Sequence, residues 1–305
     1  MTMLKNKDIQ IRDPFVFPVL EEEKYVLFGS TDKNIWGKGA GFDAYTSHDL
    51  QYWDGPYNVF CPEADFYSDT NFWAPEVYSY EGQYYMFATF RRKDNQLLGT
   101  AVLTADHLLG PYKPHSDGPV TPQSWSSLDG SLFCDEEGQP WMIFCHEWQQ
   151  IADGEVCAMR LSSDLRRSTG EPILLFRASE ARWTAPFISA RFPGQQNYVT
   201  DGPYLFRASS NELYMLWASF VSDNTYALGI AKSPSGRVSG PWLQEEKPLY
   251  QNDGGHAMVF RTFAGQLMLA IHTPNQTPDE RPLFLPLHEQ NGKIVVASEG
   301  EEAIG

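Results

Sequence analysis

A short unit returns five times along this chain: Asp13-Pro-Phe-Val-Phe, Ala74-Pro-Glu-Val-Tyr, Asp129-Gly-Ser-Leu-Phe, Asp201-Gly-Pro-Tyr-Leu-Phe and His256-Ala-Met-Val-Phe. A second apolar run follows each copy: Tyr25-Val-Leu-Phe, Tyr84-Tyr-Met-Phe, Trp141-Met-Ile-Phe, Tyr214-Met-Leu-Trp and Leu267-Met-Leu-Ala. The turns between the runs carry Gly and acids, as in Glu81-Gly82-Gln83 and Glu136-Glu137-Gly138-Gln139, so each pair reads as a hairpin. Third strands are predicted over 42–46, 100–104, 156–161 and 226–231, and several units close alike, as in Ser47-His48-Asp49-Leu50 and Ser163-Asp164-Leu165. The opening positions are 61, 55, 72 and 55 residues apart, by subtraction of their numbers. A period of that size, built from about four strands, marks the blade of a propeller rather than a helical solenoid.

The fold expected is therefore all-β, a single five-bladed β-propeller over residues 1–305, with no linker or low-complexity tract. A sandwich or two-domain β protein would not explain the repeat. No long segment keeps helical periodicity, and Gly and Pro occur throughout. Closing the circle leaves no long sheet edge open. The fifth unit runs short of strands, and residues Ile9 to Ile11 are expected to supply its outer one.

A formal charge of −16 argues against a nucleic-acid partner, because neutralising phosphates takes a basic surface. No run approaches the apolar length of a membrane span, so no membrane partner is expected. The first residues, Met1 to Lys7, lack the apolar core of a secretion signal, from which a cytoplasmic location is expected. Cys61, Cys134, Cys145 and Cys157 have no metal-ligand spacing; three of the four lie in predicted strands and read as buried free thiols.

If the units surround an axis, their opening residues form a ring, and Asp13, Asp129 and Asp201 converge. One Asp at a strand start is commonly a turn residue. Three at matching starts are harder to explain by packing. Acids sharing an axis repel, which raises some pKa values and separates their roles. Glycoside hydrolysis needs that separation, since one carboxylate must activate water while another keeps a proton for the leaving oxygen.

Arg12-Asp13-Pro14-Phe15-Val16, Trp73-Ala74-Pro75-Glu76-Val77, Leu128-Asp129-Gly130-Ser131-Leu132 and Gly255-His256 together resemble glycoside hydrolase family 43, in order and over essentially the whole chain. The resemblance implies a five-bladed propeller that hydrolyses α-L-arabinofuranosides and β-D-xylosides with inversion. It implies Asp13 as the base that activates water and Asp129 as the acid that tunes and orients the proton donor. The donor position falls in Val199-Thr200-Asp201-Gly202-Pro203-Tyr204, with aspartate where that family usually has glutamate. The shorter side chain places its proton about 1–1.5 Å short unless the backbone shifts, and misplacement on that scale can cost about a hundredfold in rate. Asp201 in an adjusted blade, another acid, or a weak site all remain open. Glu147, after Phe144-Cys145-His146, is the alternative acid, at the axis mouth or on the outside.

The resemblance also implies that His256 faces the central channel and helps hold a hydrated cation, usually calcium. That makes a structural Ca2+ admissible through water at His256 but no cofactor required, since calcium prefers several oxygen ligands. Trp73 is expected against the sugar or between blades, and His256 is expected to take part in substrate binding as well. Glu76 reads as structural, and Phe15 and Tyr204 as core. The partner expected is a small pentose-containing plant oligosaccharide, which in the cytoplasm favours a pocket over a cleft; oligomeric state is left open. Without a β-sandwich after the propeller, α-L-arabinofuranosidase is preferred to β-D-xylosidase, with endo-arabinanase as the main variant. Retaining fructan hydrolases are disfavoured by Arg12, where they typically carry Asn, and a phosphorylase by the lack of a basic cluster in the blade heads. A non-catalytic sugar-binding propeller is the remaining alternative, motivated by Asp201.

Overall fold

The computed structural model describes residues 3–290 and 292–297; the outermost residues of the expected 1–305 domain lie outside the described residues. It is a five-bladed β-propeller. Five antiparallel sheets follow one another, each starting at a repeat unit. Their innermost strands are Arg12–Val19, Ser68–Tyr80, Ser127–Cys134, Asp201–Arg207 and Gly255–Arg261. The second strands are Lys24–Ser30, Gln83–Arg92, Pro140–His146, Leu213–Phe220 and Leu267–Thr273. The expected third strands are present as Phe42–Ser47, Leu98–Ala105, Glu155–Leu161 and Tyr226–Ser233. Fully buried Trp53, Phe28, Phe42, Phe90, Phe144 and Trp217 are among the apolar side chains packed within and between the blades.

The fifth blade closes differently from expectation. Its outer strands are its own, Arg281–Gln290 and Lys293–Val296. Pro282 and Pro286 break the apolar run that would have revealed the third strand, although both sit in register opposite Leu267–Thr273. Ile9 and Ile11 are buried but not in a strand; Leu4–Lys5 instead adds an edge strand to the first blade by pairing with Tyr52 and Trp53. The ends of the circle meet where the Ile11 N–H donates to the Glu280 carbonyl and Arg12 pairs with Glu280 at 3.0 Å. Of the cysteines, Cys145 and Cys157 are buried as expected. Cys134, at the last position of its strand, and Cys61 are exposed.

Every inner strand breaks its register at the same step, between Arg12 and Phe15, Trp73 and Glu76, Leu128 and Ser131, Asp201 and Tyr204, and Gly255 and Met258. Within each break one residue is left-handed: Asp13 (φ 53°), Ala74 (48°), Asp129 (57°), Gly202 (51°) and His256 (48°). A bulge of this kind re-aims a side chain, and left-handed non-glycine residues, at about 1–3 kcal/mol each, persist where the surroundings hold them and concentrate at functional sites. The ring thus exists, but its fourth member is Gly202. Asp201 stands one residue earlier, level with Arg12, Trp73, Leu128 and Gly255.

Candidate active site

The second strands hold the ring in place through their side chains. The Asp13 N–H donates to His272 Nδ1 (3.2 Å), the Ala74 N–H to Ser30 Oγ (2.8 Å), and the Asp129 N–H to Thr89 Oγ1 (2.8 Å). Ser30, Thr89 and His272 occupy the same register position in their blades, opposite Arg12, Trp73 and Gly255. In the third blade that position is Cys145, opposite Leu128, and the Gly202 N–H donates instead to Asp129 Oδ2, at 3.0 Å. Gly202 is required here: a Cβ on it would lie 2.8 Å from the His256 ring.

His256 fills the room Gly202 leaves. Its Nδ1 lies 3.1 Å from Asp13 Oδ1 and 3.6 Å from Asp129 Oδ2, so it bridges the two carboxylates. Ser30 Oγ donates to the other Asp13 oxygen at 2.6 Å. Above the ring opens a cavity of about 370 Å³. Asp13, Asp129, Asp201, Glu147, Trp73 and His256, all named from the sequence, line this one cavity. Glu147 lies two residues beyond Cys145 in the chain and is buried in the wall, so the outside position is excluded.

Burial sets the baseline for these acids, and their neighbours separate them. For Asp13 the desolvation that would raise its pKa is outweighed by His256, Arg12, His272 and the Ser30 hydroxyl, which hold it below the ordinary carboxylate value. Asp129 is pushed well above that value by burial and by the charges of Asp201 and Asp13, against the Gly202 N–H. Burial raises Asp201 to about 6, opposed by the Tyr226 hydroxyl, which donates to it at 3.0 Å, and by Arg12. Burial and the Asp201 charge raise Glu147 to about 8. Ionised Asp13 therefore faces two carboxyls, Asp129 and Glu147, that hold protons, as two-carboxylate hydrolysis requires. Beneath the ring, Glu76 is raised by burial to about 8 and accepts from the Tyr78 hydroxyl.

Aromatic walls flank the acids. Trp36, Trp73 and Ile35 stand on one side, with Trp36 edge-on to Trp73 at 5.2 Å. On the other side are Trp148, Phe187 and Phe220; Phe187 belongs to the hairpin Phe187–Ile188/Gln196–Asn197 inserted before the fourth blade. Trp73 also donates its indole N–H to the Ile35 carbonyl, so it is a wall residue tied to the neighbouring loop. Sequence reasoning missed Tyr226, Trp36, Trp148, Phe187 and the reach of the Arg12 side chain. Arg12 and Tyr226 could have been found from their places at the head of the first unit and at the start of the fourth unit's third strand. The aromatics on connecting loops carry no repeat signal.

Calcium takes six to eight oxygen ligands. Around His256 the carboxylates in reach are engaged with the imidazole, Ser30 and Gly202, and among the described residues no group of three or more His, Cys, Asp or Glu is placed to hold a metal. The donor set does not fit a directly ligated calcium, and no step below passes through one.

A five-bladed propeller with buried carboxyls of opposed pKa shifts at its axis has the groups that two-carboxylate glycoside hydrolysis uses, and residues 8–290 match the family model for glycosyl hydrolases family 43. The chain belongs to that family and is a glycoside hydrolase. It is 24% identical to an extracellular exo-alpha-(1->5)-L-arabinofuranosidase of Cellvibrio japonicus over 83% of this chain and 72% of that protein. It is also 24% identical to an extracellular endo-alpha-(1->5)-L-arabinanase of Thermotoga petrophila, over 64% of this chain and 42% of the relative. A crystal structure of an endo-arabinase from Bacteroides thetaiotaomicron superposes with a TM-score of 0.88 at 40% identity, covering 96% of this chain and 99% of that one. These two relatives are named extracellular, which overturns the expected cytoplasmic location.

Proposed function

We propose that this chain hydrolyses α-L-arabinofuranosyl bonds of pentose-containing plant oligosaccharides with inversion, as an α-L-arabinofuranosidase built on the propeller as one catalytic unit. The observation that carries the reading is Asp13. It is buried on the floor of the cavity yet held ionised by Arg12, Ser30 and the histidines, opposite Asp129 and Glu147, which keep their protons. In the reaction Asp13 takes a proton from water as the water oxygen attacks the anomeric carbon, and a protonated carboxyl gives its proton to the leaving oxygen. Asp129 does not touch water in this scheme. It accepts from the Gly202 N–H, and its protonation keeps the floor from accumulating charge beside Asp13.

An α-1,5 linkage is supported by the relatives named for α-1,5-linked arabinofuranose and by the match to an endo-arabinase. Endo-action is the second reading, favoured by the 40% identical endo-arabinase. Linear α-1,5-arabino-oligosaccharides separate the two. Release of arabinose alone at all times marks exo-action, and early mixed oligomers mark endo-action. Cleavage of β-xylosides with no turnover of arabinofuranosides contradicts the proposal.

A further inference from the structure

Four carboxyl groups line the cavity, and the reaction needs one of them to carry the proton for the leaving oxygen. Asp13 is excluded, since it is held ionised. Asp129 lies at the floor, its Oδ2 occupied by the Gly202 N–H and within 3.6 Å of His256 Nδ1. The choice rests between Asp201 and Glu147, which are close enough for the charge of one to act on the other.

Register separates them. Asp201 is off the ring, level with Arg12, and its carboxylate is fixed by the Tyr226 hydroxyl within the field of the Arg12 guanidinium. Both neighbours stabilise its ionised form. Glu147 comes from the adjacent blade, at the end of Pro140–His146, where its N–H is held by the Ser126 carbonyl and its own carbonyl accepts from Gln150. Its carboxyl accepts a single long bond, 3.4 Å, from the Gln149 N–H. Its side chain is one methylene longer than that of Asp201. The charged groups around it are Asp201 and Arg91, with Arg191 beyond, bonded to Gln149.

We propose that Glu147 is the proton donor, and that ionised Asp201 is a positioning residue beside it that keeps the proton on Glu147 until the glycosidic oxygen arrives. The assignment rests on the hydrolytic reading above. As the bond between the anomeric carbon and the leaving oxygen breaks, the Glu147 proton passes to that oxygen and leaves a carboxylate. Asp13 gains the proton of the attacking water, and exchange with solvent returns each group to its starting form.

The test compares wild type, Glu147→Gln, Glu147→Asp and Asp201→Asn on an aryl arabinofuranoside, whose leaving group needs little protonation, and on an arabino-oligosaccharide, whose leaving group needs it fully. Glu147→Gln should lose about 10²–10⁴-fold on the oligosaccharide and far less on the aryl substrate, with Glu147→Asp intermediate. In wild type the alkaline limb of kcat/KM should fall near 8, the value to which Glu147 is raised. Asp201→Asn should move that limb to lower pH, because the repelling charge is gone. Circular dichroism and retained sugar binding check that Glu147→Gln is folded. In addition, carboxyl NMR of wild type should show a glutamate titrating near 8 that Glu147→Gln removes and Asp201→Asn shifts down, a readout that needs no substrate. The leaving-group-selective loss appearing in Asp201→Asn, with Glu147→Gln unaffected, overturns the assignment. Wild-type inactivity on every arabinofuranoside overturns the functional reading instead, and the NMR titration still decides whether Glu147 holds its proton.

Discussion

Asp13 and Asp129 occupy the same bulge in different blades, both buried and both left-handed, yet their pKa values move in opposite directions. The difference lies in what each one faces. Asp13 has a guanidinium and a serine hydroxyl, while Asp129 has two carboxylates. Replacing Asp13 with Ala should lower kcat/KM by about 10²–10⁴-fold and leave sugar binding measurable by calorimetry, because water activation is lost and the walls remain. Glu76 makes a second residue-scale prediction. Its pKa rises from 4.5 to about 8 on folding, so the stability its burial allows is fully present below 4.5 and is lost as pH rises through 8. Thermal melts should show Tm declining across that window, and Glu76→Gln should flatten the decline. The residues of the site were largely legible because they recur at unit heads. Glu147 was legible only as a candidate, since nothing in one sequence says which way a residue past a strand end will face.

At the scale of the element, the bulge decides the site. Its position was written in the sequence more closely than the shared Asp-Gly text suggested. Asp13, Ala74, Asp129 and His256 each precede an aromatic, Phe17, Tyr78, Phe133 or Phe260, by four residues, whereas Asp201 precedes Phe206 by five and Gly202 by four. Aligning on the aromatic, whose side of the sheet is fixed by the period of two, places Gly202 on the ring. The glycine has a steric purpose, and Gly202→Ala should show it: the new Cβ meets the His256 ring at 2.8 Å and displaces the group that bridges Asp13 and Asp129. A loss in kcat on the order of a hundredfold is expected, with KM changed little. The fifth blade was under-read for a different reason, since prolines at 282 and 286 interrupt the apolar pattern without interrupting the pairing.

The whole molecule is a closed circle, and its seam runs beside the site. Arg12 lies both in the cavity wall and against Glu280, which is fully buried and also accepts from Thr277. Removing one partner of such a pair leaves a buried charge uncompensated, so Glu280→Ala should cost about 3–5 kcal/mol, read as a shift in the denaturant midpoint, and should weaken activity by loosening Arg12 near Asp13 and Asp201. The five-fold plan was legible because each blade repeats its hydrophobic text. The hairpin carrying Phe187 and the loop carrying Trp36 were not, because each occurs once and is placed by contacts distant in sequence. The central claim is that ionised Asp13 drives water onto the face opposite a protonated acid. Proton NMR of the first sugar released from an α-L-arabinofuranoside, recorded before mutarotation, tests it most directly. The account expects the β-anomer; the α-anomer as first product would contradict it.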